Sequence, residues 1–386
     1  TPLYSSAASD VYKRQAFLAG MVWLLTTQSG LNTTLNIVNK MVPDLKVGEA
    51  KGELFGELVL SDIEYQPEQT TAIAIEQLQF NWSPAELVKR HLHIQRLAVQ
   101  GITISPVEQV EKASDVNAAI NLPDIALPIR ITLDQLIIRD VTLDNASAKT
   151  TLVEEAQLKA ETISDELVIQ TLSLSQQDGQ FQLDGRIGLT DRHAVNLNYH
   201  VDLLNVFPEK LTINGQITGN QQQLVLTQQI QQPLKSEQTL VVNDLTSSLS
   251  WILTTSAQAI DVSKLVPEQK LQLDNVNLHA EGTLTRLKSS LQATVKRTDI
   301  PAIDIDVNAD SEDMAEWHIQ AKAQPDNKKI ITLSGKVNTD TPEIAFDLKA
   351  VWQQLQWPLQ GDKVVVKSEH GEANLRGSIK LSLIHI

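Results

Sequence analysis

The sequence predicts an all-β fold: a long, curled, taco-like antiparallel sheet with an apolar groove, preceded by a truncated membrane-anchor helix and interrupted by one short helix near 83–92. Three observations predict it. Apolar and polar residues alternate with period two in segment after segment beyond Lys46. Turn formers such as Asp178-Gly179, Gly219-Asn220 and Thr341-Pro342 separate the segments. Helical periodicity is confined to the N-terminal end and one interruption.

The two ends fall outside this scheme. Asp10 to Gln15, DVYKRQ, can be encoded as GAT GTG TAT AAG AGA CAG, and the reverse complement of that string encodes Leu-Ser-Leu-Ile-His-Ile, the residues at 381–386. One DNA string read in both directions, similar to a transposon end used in sequencing adapters, accounts for both. Residues 1–15 and 381–386 are therefore expected to be adapter-derived scars. What remains divides into 16–44, a truncated signal anchor with a short amphipathic helix, and 45–380, an elongated β-groove region incomplete at its C-terminal end.

Ala16 to Leu25, AFLAGMVWLL, is a continuous apolar run, short of the roughly 20 residues of a membrane span and expected to be the tail of an anchor. Leu31, Leu35, Val38 and Val42 follow at helical spacing, with Pro43 as the stop. Ser83 to Glu86, SPAE, reads as a capping box with Pro84 at the first helical position, and HIQRLAVQGITI after it reads as a strand.

The strands supply the candidate site. Phe181, Leu183, Ile187 and Leu189 alternate with polar residues, as do Leu197, Tyr199 and Val201, then Ile303, Ile305 and Val307, then Phe346 and Leu348. These twelve are the candidates for lining the groove. At about 13 residues per strand and turn, 45–380 holds on the order of 25 strands. Several β-sandwiches, a β-solenoid or one curled sheet would accommodate them. No short fixed repeat supports a solenoid. The 16 Gly and 14 Pro are spread too thinly to mark linkers, which favours the continuous sheet. Glu108 to Pro128 and Gln231 to Gln238 are the best candidates for breaks.

The formal charge is minus 15, and about minus 16 once Asp10, Lys13 and Arg14 are set aside. With 32 Lys and Arg scattered singly, no basic patch exists to bind phosphates, so nucleic acid is not expected as a partner. The absence of cysteine removes disulfides, thiolate metal sites and cysteine nucleophiles. There is no Gly-x-Ser-x-Gly, phosphate-cradling glycine loop or His-Glu-x-x-His, so neither an enzyme nor a cofactor is expected. His91 and His93 would share one face of a strand, yet lack a nearby third ligand for a metal. Asp304, Asp306, Asn308 and Asp310 imitate a calcium loop, but Ala309 and Ala315 stand where its Gly and bidentate Glu belong. They are expected on the solvated face of a strand. The apolar faces are either a sealed core or a surface left open to acyl chains, and residue types alone do not separate the two.

Lys46 to Tyr65, KVGEAKGELFGELVLSDIEY, and Ile75 to Ile104, with VWQQLQWPLQ and KSEHGEANLRGSIK near the end, resemble the TamB family, relatives of the AsmA-like, bridge-like lipid-transfer proteins. Gly52, Gly56, Tyr65, Trp82, Pro84 and Gly101, then Trp357, Pro358 and Gly371, carry the likeness, and are expected to be structural. The resemblance implies an inner-membrane anchor in a Gram-negative envelope, a chain reaching into the periplasm, and a hydrophobic groove carrying phospholipid acyl chains between membranes. It equally implies a role in outer-membrane protein assembly with a TamA-like partner, met through a C-terminal part beyond this sequence. A β-sandwich stalk is a third possibility.

Overall fold

A computed structural model describes residues 3–67, 71–106, 123–145, 148–326, 328–340, 343–359 and 365–380. The scar expected at 381–386 and most of the candidate break at Glu108 to Pro128 lie outside these residues.

Two helices open the chain, α1 (Leu3–Thr26) and α2 (Gln28–Met41). Thr27 separates them: its extended backbone and its hydroxyl, which accepts from the Gly30 N–H at 3.0 Å, cap α2. Gly30 lets the helices meet, because a Cβ there would lie 2.3 Å from the Leu24 carbonyl oxygen. Beside it Leu31 is wholly buried, the first of the apolar positions read at helical spacing. No helix among the described residues is long and apolar enough to cross a membrane, although α1 contains the run Ala16 to Leu25.

Twenty strands follow: β1 (Leu45–Gly52), β2 (Glu57–Tyr65), β3 (Ala72–Trp82), β4 (His91–Ser105), β5 (Arg130–Asn145), β6 (Ala148–Ile163), β7 (Glu166–Gln176), β8 (Gly179–Gly188), β9 (Val195–Leu203), β10 (Leu211–Asn220), β11 (Gln223–Gln232), β12 (Ser236–Asn243), β13 (Ser250–Asp261), β14 (Gln272–Gly282), β15 (Leu287–Arg297), β16 (Ile300–Ser311), β17 (Glu316–Gln324), β18 (Ile330–Asn338), β19 (Glu343–Trp357) and β20 (Val366–Lys380). They belong to one mixed, open sheet. The chain divides into two compact units, one holding α1, α2 and β1–β8, the other β9–β20. Gln231 to Gln238, a candidate break, is instead the turn from β11 into β12, whose strands pair from Gln223↔Asn243 to Ile230↔Ser236.

Neighbours in sequence pair antiparallel within each unit, with one exception that corrects the all-antiparallel expectation. β4 and β5 are parallel, from His91↔Arg130 to Ile104↔Leu143. Alternation fixes which face a side chain takes and says nothing of strand direction. A parallel neighbour needs a crossover of about a dozen residues or more, which the stretch between Ser105 and Arg130 provides.

The short helix near 83–92 is a 3-10 helix, Pro84–Lys89, and its capping box does not form. Ser83 makes no side-chain cap; its hydroxyl accepts from Gln95 Nε2 at 2.9 Å, and Glu86 turns to His91 and His93. Both box partners are taken by tertiary contacts.

A coordinated slip runs across β1–β6. The pairs Gly48/Asp62, Asp62/Glu76, Glu76/Gly101, Gly101/Asp140 and Asp140/Glu154 all drop out, while the pairs immediately on either side of each keep their register. Asp62, Gly101 and Asp140 take positive φ there, at 54°, 70° and 57°. Apolar residues on either side are spaced two, three, two: Leu58, Leu60, Ile63, Tyr65 on β2 and Leu97, Val99, Ile102, Ile104 on β4. A strand keeping strict period two would send half of these to the polar side; one extra residue at a common height keeps them in shared rows.

The β1 edge is covered at its Ala50–Gly52 end. Gln28 donates through Nε2 to the Ala50 carbonyl at 2.7 Å, and its Oε1 accepts from the Gly52 N–H at 2.7 Å, so its amide imitates a neighbouring strand.

Candidate functional site

Directly paired residues share a face, so the registers assemble the apolar positions into rows. In the β9–β20 unit one row runs Leu197, Ile217, Leu226, Leu240, Leu253, Ala280. Val201, Ile213 and Ile230 begin a second row on the same face. Further along, Ala293, Ile305, Ala323, Ile331 and Trp352 form one row, and Leu291, Val307, Ala321, Leu333 and Ala350 another. Ile303 pairs with Val295, Phe346 with Val337 and Leu348 with Gly335. In the β1–β8 unit Phe181, Leu183 and Ile187 pair with Leu174, Leu172 and Leu167. Leu189 lies past the end of β8, where its N–H donates to the Asp165 carbonyl at 2.7 Å.

Of the twelve groove candidates only Leu197 is buried, at 8% exposure; the others are half-buried. A buried cluster forms at the small residues Ala257, Val276 and Ala293, against which Ile260, Leu273, Leu291 and Ile305 pack. A side chain flanked by neighbours on its own sheet but lacking a layer above it has this intermediate exposure, whereas a sandwich core is sealed.

One row on this face is polar. It runs Tyr199, Gly215, Gln228, Gln238, Thr255 across β9–β13 and turns apolar again at Leu278. Gly215 makes room for the Tyr199 ring, since a Cβ there would lie 2.2 Å from Tyr199 Cζ. The phenol thus crosses β10 and donates to Gln228 Oε1 at 2.6 Å, and Gln228 Nε2 donates to Gln238 Oε1. Burial pushes the Tyr199 hydroxyl above its ordinary pKa. Glycine faces an aromatic ring at three further pairs: Gly371 faces Trp352, whose Nε1 donates to Ser368 Oγ at 2.9 Å, Gly377 faces Phe346, and Gly282 faces Trp251.

The opposite face is polar. Asp304 accepts from Thr294 at 2.7 Å and Asp306 from Gln292 at 3.0 Å, so the residues imitating a calcium loop are strand residues with cross-strand partners. A cleft of about 840 Å³ opens beside β11–β14, lined by Gln229, Gln232, Lys235, Glu237, Asn275 and Asn277 with Ile230, Ala257 and Val276. Asp202 is buried at 8% exposure. Burial would raise its pKa, but Lys210, Thr212 and His200 outweigh that and lower it to about 2.

His91 and His93 are neither free nor solvated alone. Their rings stack at 5.4 Å and 4°. Glu86 holds both Nδ1 atoms, His91 at 2.6 Å and His93 at 3.0 Å. His93 Nε2 meets Asp134 at 2.7 Å, and His91 Nε2 meets the Thr132 hydroxyl at 2.9 Å. With a carboxylate on each nitrogen His93 must donate twice, so it is held as the imidazolium. The hydrogen bonds to Glu86 and Asp134 raise its pKa, and that to His93 lowers the Glu86 pKa. This network ties the 3-10 helix to β4 and β5. No group of three or more His, Asp or Glu among the described residues is placed to hold a metal ion.

Most of the residues carrying the family likeness sit at strand ends and turns, whereas Gly101 and Gly371 lie within β4 and β20. Gly52 ends β1 at φ 103°, where a Cβ would meet the Glu57 carbonyl oxygen at 2.1 Å. Gly56 lies in the turn that follows, and Tyr65 ends β2, exposed. Trp82 ends β3, donates from Nε1 to the Leu54 carbonyl at 2.9 Å and packs edge-on against Phe55 at 6.0 Å. Pro84 opens the 3-10 helix, and Gly101 is the buried residue of the slip. Trp357 closes β19, with Pro358 just beyond it.

A family model described as TamB, N-terminal domain, matches residues 17–119 and 106–315. Comparisons with curated proteins and with solved structures gave no match.

Proposed function

Since the chain belongs to the TamB family, through its N-terminal domain, we propose that it serves as a conduit for phospholipids moving between the inner and outer membranes of a Gram-negative envelope. The apolar sheet faces are the track. The observation that carries this reading is their intermediate exposure: apolar rows in register, half-buried and without a second layer among the described residues. An acyl chain lying on such rows is shielded from water at about 0.8 kcal/mol per buried methylene, on the order of 10 kcal/mol for a dozen. Head groups ride in water at the open side. An anchor in the inner membrane and a TamA-like partner at the outer one complete the arrangement.

The alternative is an assembly factor that lends strand edges to client β-chains. The capping of β1 by Gln28 leaves that edge partly occupied and weighs against it.

Charge on the track decides between them. Ile305→Asp and Leu183→Asp, each checked for retained β-structure by circular dichroism, should abolish lipid transfer between donor and acceptor vesicles. Transfer that survives in folded variants refutes the track.

A further inference from the structure

The polar row on the apolar face has no structural need to be there. Above it stand Leu226, Leu240 and Leu253, hydrocarbon alone, and hydrophobic residues in its place would continue the same surface. A row of amides amid hydrocarbon is costly unless something uses its hydrogen bonds.

The row is directional. A phenol that accepted from Gln228 would leave its own O–H without an acceptor, so Tyr199 donates, and its proton fixes Gln228 Oε1 as acceptor and Gln228 Nε2 as donor. That donor satisfies Gln238 Oε1, and the chain of bonds ends on Gln238 Nε2. Nothing among the described residues accepts from Gln238 Nε2, nor bonds the hydroxyl of Thr255, which follows it in the row. The end of the row is therefore a neutral pair of donors facing an apolar surface. No Lys or Arg belongs to the row, so a phosphate, which recruits cations, fits it poorly. A neutral oxygen acceptor attached to a hydrocarbon tail fits it well.

We propose that Gln238 and Thr255 bind the ester carbonyl of an acyl lipid, giving the track a point that registers where tail meets head. This rests on the lipid reading above and adds a selectivity: ester-linked over ether-linked lipids. Gly215 and Tyr199 orient the site by fixing the direction of the amide chain.

The test compares a diacyl phospholipid with its dialkyl ether analogue, of the same head group and chain length, for displacement of a fluorescent acyl probe from the full chain. The ester should bind about fivefold more tightly, as one neutral hydrogen bond allows. Gln238→Leu should erase that preference and leave ether binding unchanged; Gln238→Met, closer in length, is the second variant should leucine disturb the sheet. Equal binding by the unaltered chain, or a preference that survives both substitutions, overturns the site while leaving the conduit standing. Binding of neither lipid overturns both.

Discussion

Replacing Gly215 by alanine should have opposite effects on stability depending on whether Tyr199 is present. The added Cβ would lie 2.2 Å from Tyr199 Cζ, and the nearest approach of two carbons is about 3.5 Å, so the ring must swing by roughly 1.3 Å. That swing breaks the 2.6 Å bond from Tyr199 Oη to Gln228, worth about 1 kcal/mol, within a total overpacking cost of about 1–3 kcal/mol. The backbone contributes no strain, because Gly215 is not among the glycines with positive φ. In a Tyr199→Ala background the ring that supplies the three nearest contacts is gone, and the same substitution should stabilise by about 0.4–1 kcal/mol, through the lower entropy of the unfolded chain. The two backgrounds should thus differ by about 1.4–4 kcal/mol, a coupling energy rather than a sum. Native-state hydrogen exchange of the β9–β11 amides is the suitable assay, since a long open sheet need not unfold in one step. Loss of protection by the same amount in both backgrounds would show that the ring does not lie across Gly215, and the polar row would lose its anchor.

Two further outcomes follow from contacts at the β1–β8 end. His93 has a raised pKa in the folded chain, so its contribution to stability is complete below its ordinary value of 6.5 and is lost as pH rises through the raised value. The stability gap between the unaltered chain and His93→Gln, read by thermal melts at successive pH, should narrow toward alkaline pH; a constant gap would mean that His93 is not held as a cation. Gln28→Ala should free the Ala50 carbonyl and the Gly52 N–H on the β1 edge, at about 1–2 kcal/mol, and promote self-association in sedimentation experiments. Unchanged sedimentation and stability would show that the side chain does not guard that edge.

What sequence could reveal followed the physics of each element. Period-two alternation suffices to find a strand and its apolar face, which is why Ile303, Ile305 and Val307 fall on one side of β16 as expected. It is blind to direction, hence the missed parallel pair β4–β5. Among the described residues there are 20 strands, against an expectation of about 25 for 45–380, and strands such as β5 and β6 run to 16 residues, longer than the assumed average. The slip across β1–β6 was written in the spacing two, three, two of LVLSDIEY, LAVQGITI and LIIRDVTL, but each reads singly as an imperfect strand. Only alignment side by side makes it a common height. Gly371 was expected only to be structural, and the ring of Trp352 that it seats is a contact set by register. The capping box at Ser83 failed because a local motif competes with tertiary partners, here Gln95, His91 and His93, that no local pattern names. The polar row was hidden for a similar reason: in QLVLTQQIQQ glutamines fall on both faces, and only pairing with Gly215 and Gln238 places Gln228 among the apolar residues.

The most direct test of the lipid track is to purify the folded chain in the absence of added lipid, extract it with organic solvent and identify the extract by mass spectrometry. Phospholipid should co-purify in more than trace amount and fall away in Ile305→Asp. A folded chain that carries no lipid, and takes up none when offered, would contradict the account.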